Sequence, residues 1–170
     1  TYYPRDYEDR SKPRMIANLV DGEEALIKAV VVSKIVEIRL KNRMCMYKLL
    51  VQDETSKCTI IWFNQSFLKN KFKVGETYYF FGKANIRKGK FEMSSPVFDD
   101  INTKNNTGRI IPIYSSTYSL SQNTLRKIIE NGLELVKGNL LESLPEYILN
   151  DYNLLEINDA TEKIHFPEEF

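Results

Sequence analysis

Between residues 26 and 95 the apolar positions repeat with the period of strands. LIKAVVVSKIVEI (26–38) is nearly continuous in β-branched and apolar residues and predicts one long strand. MCMYKLLVQDE (44–54) alternates, with Tyr47, Leu49 and Val51 on one face. KCTIIWF (57–63), TYYFFGKA (77–84) and KFEMSS (90–95) complete a set of five. Asp53 to Lys57 reads as a turn, and IRKGK (86–90) as a hairpin with Gly89 at the tight position. After the third strand the polar turn Asn64-Gln65-Ser66 leads into a short helix over about 66–72, with Phe67, Leu68 and Lys71 expected on one face. Three strands, a helix, then two strands is the order of the OB-fold, a five-stranded Greek-key barrel. Gly82 suits a sharply coiled barrel strand.

The flanks read differently. Residues 1–25 predict an arm, because Pro4 and Pro13 block helix and Val20-Asp21-Gly22-Glu23 reads as a turn. A linker rich in Asp, Asn and Thr runs to about residue 109, and GRIIPIY (108–114) is extended. Ser121 predicts the cap of a helix to about Lys137, with Leu120 stapled to Leu125 and a stripe of Leu125, Ile128, Ile129, Leu133 and Val136. Ser143 to Glu146 reads as the capping box of a second helix, and a third is expected from about Asn158 to Ile164. The expectation is a mainly β chain: an arm (1–25), an OB-fold barrel (26–98), then an extended linker and small helical region (99–170). No run of about 18 apolar residues offers a membrane span. The start, TYYPRDYEDR, has neither an initiator Met nor a basic-then-apolar leader, so the chain is expected to be a piece of a longer protein.

Composition narrows the partner. At 42% hydrophobic and 28% charged the chain is ordinary globular material. The net charge of +1 conceals a segregation. Residues 1–25 hold 4 Lys/Arg and 6 Asp/Glu, residues 26–95 hold 14 and 5, and residues 96–170 hold 6 and 12. A basic middle points to a polyanion. An OB-fold takes its ligand across strands two and three, between the loops that follow strands one and four. Those loops are Arg39-Leu40-Lys41-Asn42-Arg43 and Arg87-Lys88-Gly89-Lys90, both basic. Lys41, Arg43, Arg87, Lys88, Lys90 and Lys69 are therefore candidate contacts to a nucleic-acid backbone. Phe63 and Phe67 bracket the polar turn just ahead of Lys69, Lys71 and Lys73, an arrangement suited to stacking on bases. If Phe63 faces a ligand, its neighbour Trp62 must face the core.

Catalytic chemistry is not legible. GKANIRKGK looks like a phosphate loop, but Gly82 and Gly89 are separated by six residues instead of four, and Phe91 stands where Ser or Thr would hold magnesium. His165, the single histidine, has no nucleophile or acid placed beside it in sequence and is expected to be structural. Two cysteines and one histidine do not make a zinc site unless carboxylates complete it. Cys58 is expected opposite about Gln52, not Cys45, so a disulfide is not expected, and free thiols suit the cytoplasm. No catalytic residue, cofactor or metal is expected within these 170 residues.

YYPRDYEDRS (2–11), FNQSFLK (63–69), GKANIRKGKFEMSSPVF (82–98), RIIPIYSSTYSLSQNTLRKII (109–129) and IHFPEE (164–169), in this order, resemble the wedge region of the RecG family of bacterial ATP-dependent DNA helicases. The resemblance covers nearly the whole chain. It implies an OB-fold that sits at the branch point of stalled replication forks and Holliday junctions, in DNA repair and recombination, and splits strands while a motor pulls the duplex arms. The family's aromatic-Asn-Gln-x-aromatic pattern falls on Phe63-Asn64-Gln65-Ser66-Phe67, which implies that Phe63 and Phe67 stack on junction bases. Position 67 is often Tyr in such proteins, and Phe keeps the stacking face. The partners implied are branched or forked DNA and the motor domains of the same chain, without a membrane. ATP and Mg2+ would belong to a motor beginning after about Phe170. Two other readings stay open: an OB module binding RNA, as in an anticodon-binding domain, and a protein-interaction domain whose basic face meets an acidic partner.

Overall fold

A computed structural model describes residues 2–41, 43–103, 107–116 and 119–168. Asn42 of the first basic loop, Lys104 to Asn106 of the linker, Thr117 and Tyr118, and Glu169 and Phe170 lie outside the described residues. The chain runs through β1 (Asp6–Asp9), β2 (Glu24–Val31), β3 (Val36–Arg39), β4 (Cys45–Gln52), β5 (Lys57–Phe63), β6 (Thr77–Arg87), β7 (Lys90–Ser94), β8 (Val97–Asp100) and β9 (Ile110–Ile113). The helices α1 (Gln122–Val136), α2 (Glu146–Asp151) and α3 (Ile157–His165) follow. Two compact units result, residues 10–109 and residues 1–9 with 110–170.

The first unit is the OB-fold barrel. Strands β2, β4, β5, β7 and β6 pair in that order and close through a β2–β6 pairing, with β5 and β7 parallel and the other pairs antiparallel. The single long strand expected over 26–38 is two strands. Val31 ends the pairing of β2 with β6 and β4, and β3 resumes against β4 alone. Between them the backbone N–H of Val32 donates to the Leu50 carbonyl and that of Leu50 to Ser33 Oγ. A strand that serves two neighbours must bend to close a barrel, and continuous apolar patterning does not report a bend. The inward residues alternate as expected: Tyr47, Leu49, Val51, Cys58, Ile60 and Trp62 are buried in one core. At Gly82, a Cβ would lie 3.0 Å from Pro96, so the glycine permits a close backbone approach. The expected linker contains β8, which extends the sheet beside β6.

Residues 1–25 do not behave as one arm. Ile16 and Leu19 are buried in the barrel core, and the Ile16 N–H donates to Asp53 Oδ2 at 2.6 Å. The Arg10 guanidinium lies 4.2 Å from the centroid of the Phe81 ring. MIANLV (15–20) is an apolar run too short to show a strand or helix period, which hides from sequence reading which of its residues are buried.

In the other unit β1 pairs antiparallel with β9. The Ser121 cap of α1 is present, its side chain accepting from the Thr124 N–H, while Leu120 stays exposed. On the α1 stripe Leu125 is buried and Ile128 and Val136 are exposed. The capping box expected at Ser143 does not form. Pro145 is the N-cap of α2, and the Glu142 carboxylate accepts from the N–H groups of Ser143, Leu144 and Ile157, which holds its pKa below the usual carboxylate range. His165 is buried with Nδ1 2.8 Å from the Tyr114 hydroxyl, its ring stacked against those of Tyr3 and Tyr114. Burial lowers its pKa.

Candidate nucleic-acid interface

Alternation along β5 sorts its residues onto two faces. Trp62 points inward and is 1% exposed; its ring stacks on Phe72 with centroids 5.3 Å apart, and Nε1 donates to the Pro96 carbonyl at 3.1 Å. Phe63, next in sequence, points outward and is 40% exposed. The strand ends because Asn64 turns into the left-handed region at φ 55°, a conformation its short polar side chain tolerates. Its backbone N–H donates to the Cys45 carbonyl at 2.8 Å, while its side-chain Oδ1 accepts from the Cys45 N–H at 2.9 Å. This clasp fixes the end of β5 to the start of β4, with Met46 paired to Phe63.

The segment after the clasp is a 3-10 helix, Ser66–Asn70, not the α-type turn on which Phe67, Leu68 and Lys71 would share a face. At three residues per turn, successive side chains point about 120° apart. Leu68 is fully buried in the barrel core, while Phe67 is 70% exposed. Lys69 takes a third direction. Its Nζ lies 2.7 Å from Glu37 Oε2 on β3. The Lys69 ammonium holds the Glu37 carboxyl below the usual carboxylate range, and the buried Tyr47 hydroxyl donates to the same carboxylate at 3.2 Å. Of the cations expected around the rings, Lys41 and Arg43 are exposed on the β3–β4 turn, closed by the Leu40 N–H to Met44 carbonyl bond, whereas Lys69 is held by a carboxylate.

The second basic loop is a tight hairpin. Lys88 and Gly89, at φ 52° and 72°, are its two turn residues, as a twisted two-residue hairpin requires. GKANIRKGK is thus strand and hairpin, without the loop-to-helix geometry that cradles phosphates, and these residues do not fit a bound nucleotide. Arg87, Lys88 and Lys90 are exposed. The structure does not bring them beside the rings. β5 and β7 run parallel with Cys58 opposite Phe91, which sets Lys90 level with Lys57 at the start of β5. Phe63 is at the other end of that strand, roughly 20 Å away at 3.3 Å per residue.

Sequence reading missed two residues on the outward face of β4 and β5. Lys48 is paired to Ile61, and Lys57 opens β5; both share the outward parity of Phe63. The signal was present in the alternation of Tyr47, Leu49 and Val51, whose opposite parity includes Lys48. Charge follows the units. Residues 10–109 hold 19 Lys/Arg and 10 Asp/Glu, net +9; residues 1–9 with 110–170 hold 5 and 13, net −8.

A family model described as the RecG wedge domain matches residues 1–136. The ATP-dependent DNA helicase RecG of Thermotoga maritima is 33% identical over 175 residues, spanning 99% of this chain and 22% of that protein. The protein of the same name from Streptococcus pneumoniae is 30% identical over 175 residues, spanning 98% of this chain and 24% of its own length. A solved structure of RecG bound to a three-way DNA junction superposes with a TM-score of 0.88 at 31% identity, over 99% of this chain and 23% of that one. The chain therefore spans about a quarter of the length of the curated relatives it matches.

Proposed function

The chain belongs to the RecG wedge-domain family, and on that premise we propose that it binds branched DNA and splits strands at stalled forks and Holliday junctions within an ATP-dependent helicase. Phe63 and Phe67 stack on the bases at the branch, and Lys41 and Arg43 hold the adjoining phosphates. Arg87, Lys88 and Lys90, at the far end of β5 with Lys57, hold a separate stretch of backbone, and Lys48 lies between the two ends. In this reading ATP and Mg2+ serve the motor rather than these 170 residues, the motor domains and forked DNA are the partners, and the protein works in the cytoplasm on repair and recombination intermediates. Among the described residues no helix is long and apolar enough to cross a membrane.

One observation carries the reading. Two large rings flanking one clasped turn are 40% and 70% exposed, although burial of an aromatic ring removes a large apolar area from water. Phe63→Ala and Phe67→Ala in the intact protein test it. Each should cost about 1–3 kcal/mol of binding per stacked base and erode the preference for forked over linear duplex DNA. RNA hairpins should not compete. Unchanged fork preference in both variants, or full competition by RNA hairpins, would overturn the proposal.

A further inference from the structure

The sequence places Lys69 beside the two rings as one more phosphate contact, but its geometry assigns it another task. We propose that Lys69 and Glu37 form a latch that sets the direction of Phe67, so that Lys69 is a positioning residue rather than a contact to DNA. The proposal rests on the reading of Phe67 as a stacking ring.

The 3-10 turn that carries Phe67 has only five residues, and no side chain caps its N-terminus. Such a turn does not hold itself together in water. Its bonds, among them those from the Leu68 N–H to the Gln65 carbonyl and from the Lys71 N–H to the Leu68 carbonyl, span three residues and have poorer geometry than those of an α-helix. Leu68, fully buried, anchors its inward side to the barrel, and just beyond it the Lys71 carbonyl accepts from the Tyr78 hydroxyl at 3.4 Å. The outward side, which carries Phe67, is not fixed by that anchor. Lys69 supplies a second anchor about 120° around the turn, its Nζ 2.7 Å from Glu37 Oε2. Two anchors at consecutive residues fix the third direction, and that direction is Phe67.

The far side of the latch is itself fixed. Glu37 lies on β3, directly opposite Tyr47 of β4 in the strand register, and accepts a hydrogen bond from the Tyr47 hydroxyl at 3.2 Å. Tyr47 is 2% exposed and part of the core. The ring of Phe67 is thereby referenced to the barrel interior through Lys69, Glu37 and Tyr47. The ammonium charge is also already neutralised: a phosphate would have to displace a carboxylate that a core hydroxyl holds in place.

The two roles predict opposite responses. Glu37→Gln removes a negative charge from a basic surface. If Lys69 is a phosphate contact, freeing it should tighten DNA binding and steepen the salt dependence. If it is a latch, Glu37→Gln should weaken fork preference by roughly two- to fivefold, the scale of a solvent-exposed pair. Lys69→Met should do the same, and the double variant should be no worse than either single one. The salt slope should stay unchanged in all three, whereas loss of a phosphate contact lowers it by about 0.7–0.9. Lys69→Glu should lose fork preference, and the swap Glu37→Lys with Lys69→Glu should regain part of it. Tighter binding by Glu37→Gln, or a reduced slope in Lys69→Met, overturns the latch. Amide exchange without DNA separates this failure from failure of the stacking reading. Glu37→Gln should speed exchange at Leu68 and Lys71 even if Phe67 proves irrelevant to forks, and unchanged exchange there rejects the latch by itself.

Discussion

Replacing Trp62 by Ala should unfold the barrel far more readily than replacing its neighbour Phe63, although the two are adjacent aromatics on one strand. Trp62 is 1% exposed and touches Phe72, Phe98 and Phe80, with ring centroids 5.3, 6.0 and 6.3 Å away. Its truncation removes a buried ring and leaves a void, which costs about 3–5 kcal/mol. It also strips the Pro96 carbonyl of the Nε1 donor, adding about 1–3 kcal/mol. The total rivals the ~5–15 kcal/mol that hold a typical domain together. At about 4–8 °C per kcal/mol for a unit this size, the melting temperature should fall by at least ~15 °C. Phe63 ends its strand with 40% of its surface in water, so Phe63→Ala opens no closed void and should cost about 1 kcal/mol. The matching shift is below ~8 °C. Thermal melts followed by circular dichroism decide it. If Phe63→Ala melts far below Trp62→Ala, the faces of β5 are reversed, as a one-residue slip of the Tyr47–Trp62 and Met46–Phe63 register would make them; if the two melt equally low, Phe63 is a core ring as well and leaves the proposed interface.

Arg87→Ala, Lys90→Ala and Lys88→Asn should each lower the salt slope of DNA binding by about 0.7–0.9; Asn is chosen at 88 because it tolerates the φ of 52° there. A slope unmoved by all three removes the hairpin from the interface. Burial raises the Asp53 pKa, but hydrogen bonds from the Thr55 hydroxyl and from the N–H groups of Ile16, Ser56 and Thr55 outweigh it and leave the carboxyl below its usual value. A depressed carboxylate stabilises the fold above its unfolded pKa, near 3.9, and loses that contribution as pH falls through the lower folded value. Asp53→Asn should therefore lower the melting temperature near neutrality and flatten its decline in acid; a parallel decline in both proteins refutes this. Burial pushes the Cys58 thiol up to about 12. A thiol reagent at pH 8 should label Cys45 in the native protein and reach Cys58 on unfolding, and equal native labelling would contradict the buried position of Cys58.

Strand order, the hairpin at Gly89 and the inward set of β4 were legible because each rests on local chemistry: period-two alternation, a turn that needs φ above zero, a run of β-branched residues. What escaped depends on pairing between distant segments. Ile16 and Leu19 read as part of an arm because their short run, MIANLV (15–20), shows neither a strand nor a helix period, yet they complete the barrel core. The bend between β2 and β3 escaped because it is imposed by two different neighbours and not by the residues at the bend. The interface shows the same limit from the side of charge. Counting lysines gave Lys69 the same weight as Lys41, but a lysine paired to a carboxylate must give up that pair to reach a phosphate. Glu37, on another strand, holds Lys69 at 2.7 Å. Lys48 was overlooked for the opposite reason: it sits in a run read for its buried partners, although the same alternation turns it outward, and its pairing with Ile61 sets it on the face of Phe63. An electrostatic footprint read from composition therefore names cations without their neighbours. In the proposed reading register adds Lys48 and Lys57, gives Lys69 to the latch and divides the remaining cations between the two ends of β5. A strand that engages both ends must cross the outward face between them, past Lys48, and meets Lys57 beside the hairpin, which is why both should matter even though neither lies in a loop.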